Sequence, residues 1–292
     1  MESIICTKNA RFRFRQWDWH EIKKLYGGIG VVMALYRNGE VHTLTESNNI
    51  DCHTSHWRNI ADLAISNLVP GVAIGLKRDG TCISSVGHTY GVHTLCDIIE
   101  VAASDAFFAL DKYGKVHCIP LKGMHPDYSA VASWKNIAHI AVGNQDAVFG
   151  ITYDGKVVCA GANCENGPMG NMNDLLKDVG NIAAICVQGA ESGRVILFDK
   201  DGNIFPLGGE KYDMKYSGAK RISSNYCFTA LQTPDDKLDF ITYYYPDEKE
   251  LNIFRNIQPY SFAAGLSLEN QPFLVVLKEY QLFDIFRRPY KR

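Results

Sequence analysis

Cys52-His53-x-x-His56, followed by His88 and His93, is the place where metal-binding side chains gather in this chain of 292 residues. Thiolate and imidazole are the ligands of structural zinc. The spacing argues against a site, because Cys52 and His53 are adjacent and neighbours on a strand point to opposite faces. The paired Cys-x-x-Cys and His-x-x-x-His frame is missing, and Cys159 and Cys164 have no second pair. Asp235-Asp236 and Asp247-Glu248 offer carboxylates for acid–base work, but both sit in polar, turn-like stretches. Gly27-Gly-Ile-Gly30 has the outline of a phosphate loop, yet no helix follows to present its N–H groups. Gly27 and Gly28 read instead as the turn between two strands. Nucleophile-elbow, phosphate-loop and zinc-protease signatures are absent. The residues predict no enzyme, no cofactor and no metal.

Composition narrows the class. Thirty basic against 32 acidic side chains leave a formal charge of −2, too little for a non-specific nucleic-acid binder. A hydrophobic share of 46% excludes global disorder. No apolar run reaches the roughly 18 residues of a membrane span, and the start lacks a signal-peptide core. The expectation is a cytoplasmic protein, with its nine cysteines as free thiols.

A repeat organises everything else. Trp57-Arg-Asn-Ile60 and Trp134-Lys-Asn-Ile137 are its best openings, with weaker ones at Trp19, Cys96, Val179, Ala219 and Phe254. Successive starts lie 38, 39, 38, 45, 40 and 35 residues apart, so seven units fill residues 1–292 as one domain. Each unit holds short apolar runs such as Val31-Val-Met-Ala-Leu35 and Ala147-Val-Phe-Gly-Ile151. Asn38-Gly39, Asp79-Gly80, Tyr113-Gly114, Asp154-Gly155 and Asp201-Gly202 then read as type I′ hairpin turns. The one plausible helix lies within residues 171–177. Strands repeated radially around an axis predict an all-β, seven-bladed propeller of four-stranded sheets. Arg11-Phe-Arg-Phe-Arg15 alternates with period two, so residues 1–18 are expected to pair with the last blade and close the ring.

Trp-x-x-Ile, Ile-Ala-x-Gly, Gly75 to Thr81 and Asp154 to Gly161 resemble repeats of the regulator of chromosome condensation type. The short period is similar to that of the bacterial members, including secreted propellers that inhibit β-lactamases. The resemblance implies seven blades and a protein-binding role. It also brings an alternative, guanine-nucleotide exchange on a small GTPase through a wedge, for which the longest unit has only about seven extra residues. A carbohydrate-binding propeller is a further alternative, but the equivalent loop positions Ile29, Val69, Asp105, Gln145, Glu191, Tyr226 and Glu269 form no repeated site.

Loops on a rigid scaffold are the usual seat of recognition. The first-to-second-strand loops of units four to seven carry Asn144, Gln145, Asp146, Glu191, Asn225, Tyr226, Glu269 and Asn270. These eight are the expected partner-binding residues. Their acidic members Asp146, Glu191 and Glu269 call for a protein partner of basic character.

Overall fold

The computed structural model describes residues 4–6, 12, 17–18, 21–86, 91–121, 127–143, 147–162, 164, 171–188, 194–201, 203–207, 220–224, 228–242, 248–255, 257–266, 268 and 272–278. These residues form seven three-stranded antiparallel sheets, and the fold is all-β. The chain opens with β1 (Ile4–Cys6), which is used last. Sheet one is β2 (Ile22–Gly28), β3 (Val31–Tyr36) and β4 (Val41–Thr45). Sheet two is β5 (Ile60–Ile65), β6 (Ala73–Lys77) and β7 (Cys82–Ser84). Sheet three is β8 (Ile98–Ala103), β9 (Ala106–Asp111) and β10 (Val116–Pro120). Sheet four is β11 (Ile137–Val142), β12 (Val148–Thr152) and β13 (Val157–Ala160). Sheet five is β14 (Ile182–Gln188), β15 (Arg194–Asp199) and β16 (Ile204–Leu207). Sheet six is β17 (Arg221–Ser224), β18 (Phe228–Gln232) and β19 (Leu238–Thr242). Sheet seven joins β20 (Pro259–Leu266) and β21 (Pro272–Lys278) to β1.

Each first strand touches the first strand of the next sheet, and β20 touches β2, so the sheets close a ring. Middle strands are buried on both faces. In β3, Val32, Ala34 and Tyr36 pack against Ala263, Phe273 and Val275 of sheet seven. The alternate residues Val31, Met33 and Leu35 pack against Trp57, Ile60 and Leu63 of sheet two. A strand sandwiched this way needs apolar residues at every position, which is why these runs show no polar alternation.

Trp57 and Trp134 are both buried, and each has a glycine opposite. A Cβ on Gly75 would lie 2.8 Å from the Trp57 ring, and one on Gly150 would lie 3.0 Å from the Trp134 ring. Where the opening residue is smaller, the facing residue is larger: Leu95 goes with Ala109 in sheet three, and Val179 goes with Leu197 in sheet five.

The hairpin turns differ from the type I′ expectation. Tyr36 N–H donates to Glu40 and Gly39 N–H to Tyr36, at 2.9 Å each, and only Gly39 (φ 87°) among the loop residues is left-handed. That is a type I turn followed by a one-residue bulge. Gly80, Gly114, Gly155 and, in sheet six, Asp236 (φ 64°) hold the same place.

These turns also reach the next sheet. The carbonyls of Gly39, Gly80 and Gly155 accept from the N–H of Ile60, Ile98 and Ile182 at 2.9 Å, and that of Gly114 from Ile137 at 3.1 Å. The residue before each isoleucine, Asn59, Asp97, Asn136 or Asn181, has φ between 58° and 61°, which Asn and Asp tolerate best among non-glycines. This motif moves the start of unit three to Leu95 and Ile98, one residue ahead of the expected Cys96.

The outer fourth strand is not found among the described residues. Between the third strand of one sheet and the first strand of the next the chain instead forms 3-10 turns at Val92–Thr94 and Ser129–Ser133 and short helices at Met172–Leu176 and Glu248–Phe254. The last corrects two readings, since Glu248 starts a helix and Phe254, buried with Leu251, ends it instead of opening unit seven. Closure is also shifted. Ile4, Ile5 and Cys6 pair antiparallel with Leu277, Val276 and Val275, whereas the expected strand was Arg11 to Arg15. Within that stretch Phe12 lies in no strand and packs edge-on against Phe273 at 5.1 Å. The apolar Ile-Ile-Cys suits the buried β21 better than an arginine-bearing strand. The sequence also predicts a further strand over Gln281 to Phe286, which lies outside the described residues.

Two outcomes test this account. Gly155→Ala places a Cβ 2.9 Å from Asn181 Cα at φ +82° and should cost about 1–3 kcal/mol in urea unfolding. Gly180→Ala meets nothing within 4 Å and should be neutral or stabilising. Deleting residues 1–15 should uncover the edge of β21, lower the melting temperature and raise light scattering. A truncated chain as stable and soluble as the full one would contradict this closure.

Candidate functional site

The first strands surround a channel of about 500 Å³. Register places Gly27, Ile65, Ala103, Val142, Val187, Ser224 and Ala264 at one level of its wall, one from each sheet. Small residues are required at the seam between sheets one and seven. A Cβ on Gly27 would lie 2.4 Å from the Ala264 carbonyl oxygen, and one on Gly265 would lie 2.7 Å from that of Gly28. Gly27 and Gly28 therefore end strand β2 and let two backbones meet; the turn itself falls at Ile29 and Gly30.

One mouth lies where first strands lead into second strands. Here Ser66 Oγ donates to the Ser104 carbonyl at 2.6 Å, and Ser104 Oγ donates to the Gly143 carbonyl at 3.1 Å. Asn67 Nδ2 reaches the same Gly143 oxygen at 3.0 Å, spanning from sheet two to sheet four. Asp105, expected on an open loop, is buried and accepts from Tyr128 Oη at 2.7 Å. Asn144, Gln145, Asp146, Glu191, Asn225, Tyr226, Glu269 and Asn270 lie outside the described residues. They follow β11, β14, β17 and β20, whose Val142, Val187, Ser224 and Gly265 line the channel.

The opposite mouth lies beside the hairpin turns and is charged. Its equivalent positions are Lys24, Asp62, Glu100, His139, Ala184, Arg221 and Ser261. Lys24 Nζ pairs with Asp62 at 3.0 Å, and Tyr26 Oη also donates to Asp62. Burial, and then the Asp62 charge, hold the Tyr26 phenol well above its ordinary value. His139 Nδ1 lies 3.4 Å from Glu100 Oε2. Burial raises the Glu100 carboxyl, and His139 offsets that only in part. Arg221 donates to the Tyr260 carbonyl. Negative groups thus face sheets two and three, and positive groups face sheets six and one. This ring was missed in the sequence, although the signal was there: in sheets one to four each member stands two residues after the opening isoleucine.

The Cys/His cluster does not converge. Cys52 is buried, while His53 is exposed at φ 44° with Nδ1 3.1 Å from Asp51. Among the described residues no three His, Cys, Asp or Glu side chains are placed to hold a metal ion, and His88 lies outside them. Nor is any helix among them long and apolar enough to cross a membrane.

No protein-family model and no curated protein matches this chain. Solved structures do. The CRINKLY WD40 ectodomain of the Arabidopsis thaliana receptor kinase ACR4 is similar at TM-score 0.59 and 16% identity, over 84% of this chain and 88% of that one. Human WBSCR16 is similar at TM-score 0.60 and 13% identity, over 89% and 87%. Prp20p of Saccharomyces cerevisiae is similar at TM-score 0.58 and 10% identity, over 97% and 93%. At such identities the likeness is one of fold, and the fold is a β-propeller.

Cys52, Cys82, Cys96, Cys118, Cys159 and Cys186 are free thiols. Burial pushes the Cys52 thiol up to about 11 and those of Cys82 and Cys118 up to about 12. Thiolate is the reactive form, so at pH 8 these three stay protonated. Exposed Cys96 should be alkylated by iodoacetamide well before Cys52, Cys82 and Cys118, as read by peptide mass spectrometry. Equal labelling of Cys82 in the folded chain would contradict the packing described.

Proposed function

We propose that this chain is a non-catalytic, seven-bladed propeller, each sheet a blade, that binds a partner protein through loops on one face. The observation that carries the reading is convergence. β11, β14, β17 and β20 all end at one mouth of one channel. Asn144, Gln145, Asp146, Glu191, Asn225, Tyr226, Glu269 and Asn270 belong to those connections. Polar and acidic residues together with one aromatic, Tyr226, suit a protein surface of basic character, with the aromatic as anchor. The setting we assign is the cytoplasm, in keeping with the free thiols.

Prp20p has a reported interaction with Gsp1p and histones, and yeast RCC1 has been seen with Kap60. Those are properties of those proteins; they support partner binding as a use of this fold and nothing narrower. Guanine-nucleotide exchange by a wedge finds little support in the longest unit. The helix Met172–Leu176 inside it is packed down, with Met172 and Leu176 buried beside Cys159 and Cys164. A sugar site repeated once per blade is disfavoured by the burial of Asp105.

Affinity capture from native cells, followed by a salt titration, tests the reading. Asp146→Lys with Tyr226→Ala should abolish capture, a loss of roughly 2 kcal/mol or more at the aromatic alone. The melting temperature should stay within about a degree of the parent, as surface changes rarely exceed ~0.5 kcal/mol. Capture by the double variant at parental strength would remove this face from the proposal.

A further inference from the structure

The charged mouth opposite those loops holds a cleft of about 530 Å³ between sheets six, seven and one. Its origin is a side-chain vacancy in the ring. Sheet seven places the short Ser261 between Arg221 and Lys24, and Ser261 Oγ turns inward to accept from Leu25 N–H at 2.9 Å. The space left is walled by Lys23, Lys24, Arg221 and Tyr260, with Ile222 and Phe262 as its apolar part.

The charge on these walls is largely uncompensated. Lys23 Nζ donates to the Ala61 carbonyl at 3.0 Å and Arg221 to the Tyr260 carbonyl; carbonyls hold the cations in place without neutralising them. Lys24 is balanced by Asp62, in a pair about half exposed where water screens much of the attraction. A fourth cation sits at the rim: Arg37 donates to Tyr260 Oη at 3.1 Å and lies 5.7 Å from its ring centre. No carboxylate lines the cleft among the described residues.

We propose that this cleft is a second binding site, taking an acidic segment of a partner protein. Carboxylates would sit between the Arg221 guanidinium, whose planar fork matches them, and the Lys23 ammonium. Apolar parts of the segment would rest on Tyr260 and Ile222. The site differs from the loop rim in both place and sign, so either can fail alone.

Fluorescein-labelled hexaglutamate, titrated with the full chain and followed by anisotropy, is the probe. Saturable binding that weakens as salt passes physiological strength is expected, since exposed charges are screened there. Lys23→Glu with Arg221→Glu should weaken it at least roughly tenfold, while the charge-preserving Lys23→Arg keeps most of it. Should the reversal unfold the chain, Lys23→Gln with Arg221→Gln at an unchanged melting temperature decides the matter. Asp146→Lys with Tyr226→Ala should leave hexaglutamate binding as it was. Absence of binding, indifference to the charge variants, equal loss in the loop-rim variant, or displacement by inorganic phosphate at matching concentration would each overturn the proposal.

Discussion

The bond from the N–H of an opening isoleucine to the carbonyl of the preceding turn glycine is what ties one sheet to the next. At Ile60, Ile98, Ile137 and Ile182 it recurs with the same partners and nearly the same length. A single backbone bond contributes only about 0.5–1.5 kcal/mol net. Its importance is geometric: it sets the start of each first strand, and through it the register of every side chain that follows. The turn glycine must be left-handed to aim its carbonyl. In sheets one, three and four it must also lack a Cβ, which would fall within 3.0 Å of the next sheet's backbone. One residue thus meets two demands at once.

Packing between sheets then follows by volume. Trp57 opposite Gly75 and Trp134 opposite Gly150 are the extreme pairs, and Leu95 with Ala109 or Val179 with Leu197 are graded versions. Overfilling either side of such a pair costs as surely as a cavity does. The seam between sheets one and seven solves the problem differently, with Gly27 and Gly265 replacing side chains by close backbone contact, while Gly28 leaves room for the Ile65 side chain of sheet two. β1 completes the closure by borrowing the chain's start for the last sheet.

The two mouths of the channel differ because the strand positions that reach them differ. Small hydroxyls and glycine at one end let Ser66, Ser104 and Gly143 tie neighbouring sheets together. Long charged groups at the other end cannot all be paired around the ring, and the gap at Ser261 leaves cations facing a cleft.

The three strands of most sheets, their order and the position of the repeated turn were legible in the residues, though not the turn's type or the missing fourth strand, because apolar runs, Asx-Gly pairs and Trp-x-x-Ile are local patterns with local physical causes. The exact phase of units three, six and seven was not: Ile98 rather than Ile99 opens sheet three, and Ile222 and Phe262 pair with Leu231 and Val276 at the place Leu63 takes opposite Gly75 in sheet two, a register set by hydrogen bonds between strands and by no local residue type. The same holds for Gly27 and Gly28, which read as a turn but end a strand, since their partner backbone lies more than 230 residues away. The closing strand moved from Arg11–Arg15 to Ile4–Cys6 for a similar reason: alternation marks a strand with one wet face, whereas β21 offered a largely apolar edge. The charged mouth went unseen because its members are scattered singly, one per unit. Sequence periodicity determined what each unit would build; only the closed ring decided which residues meet, because contact across a seam depends on register and volume that no single unit contains.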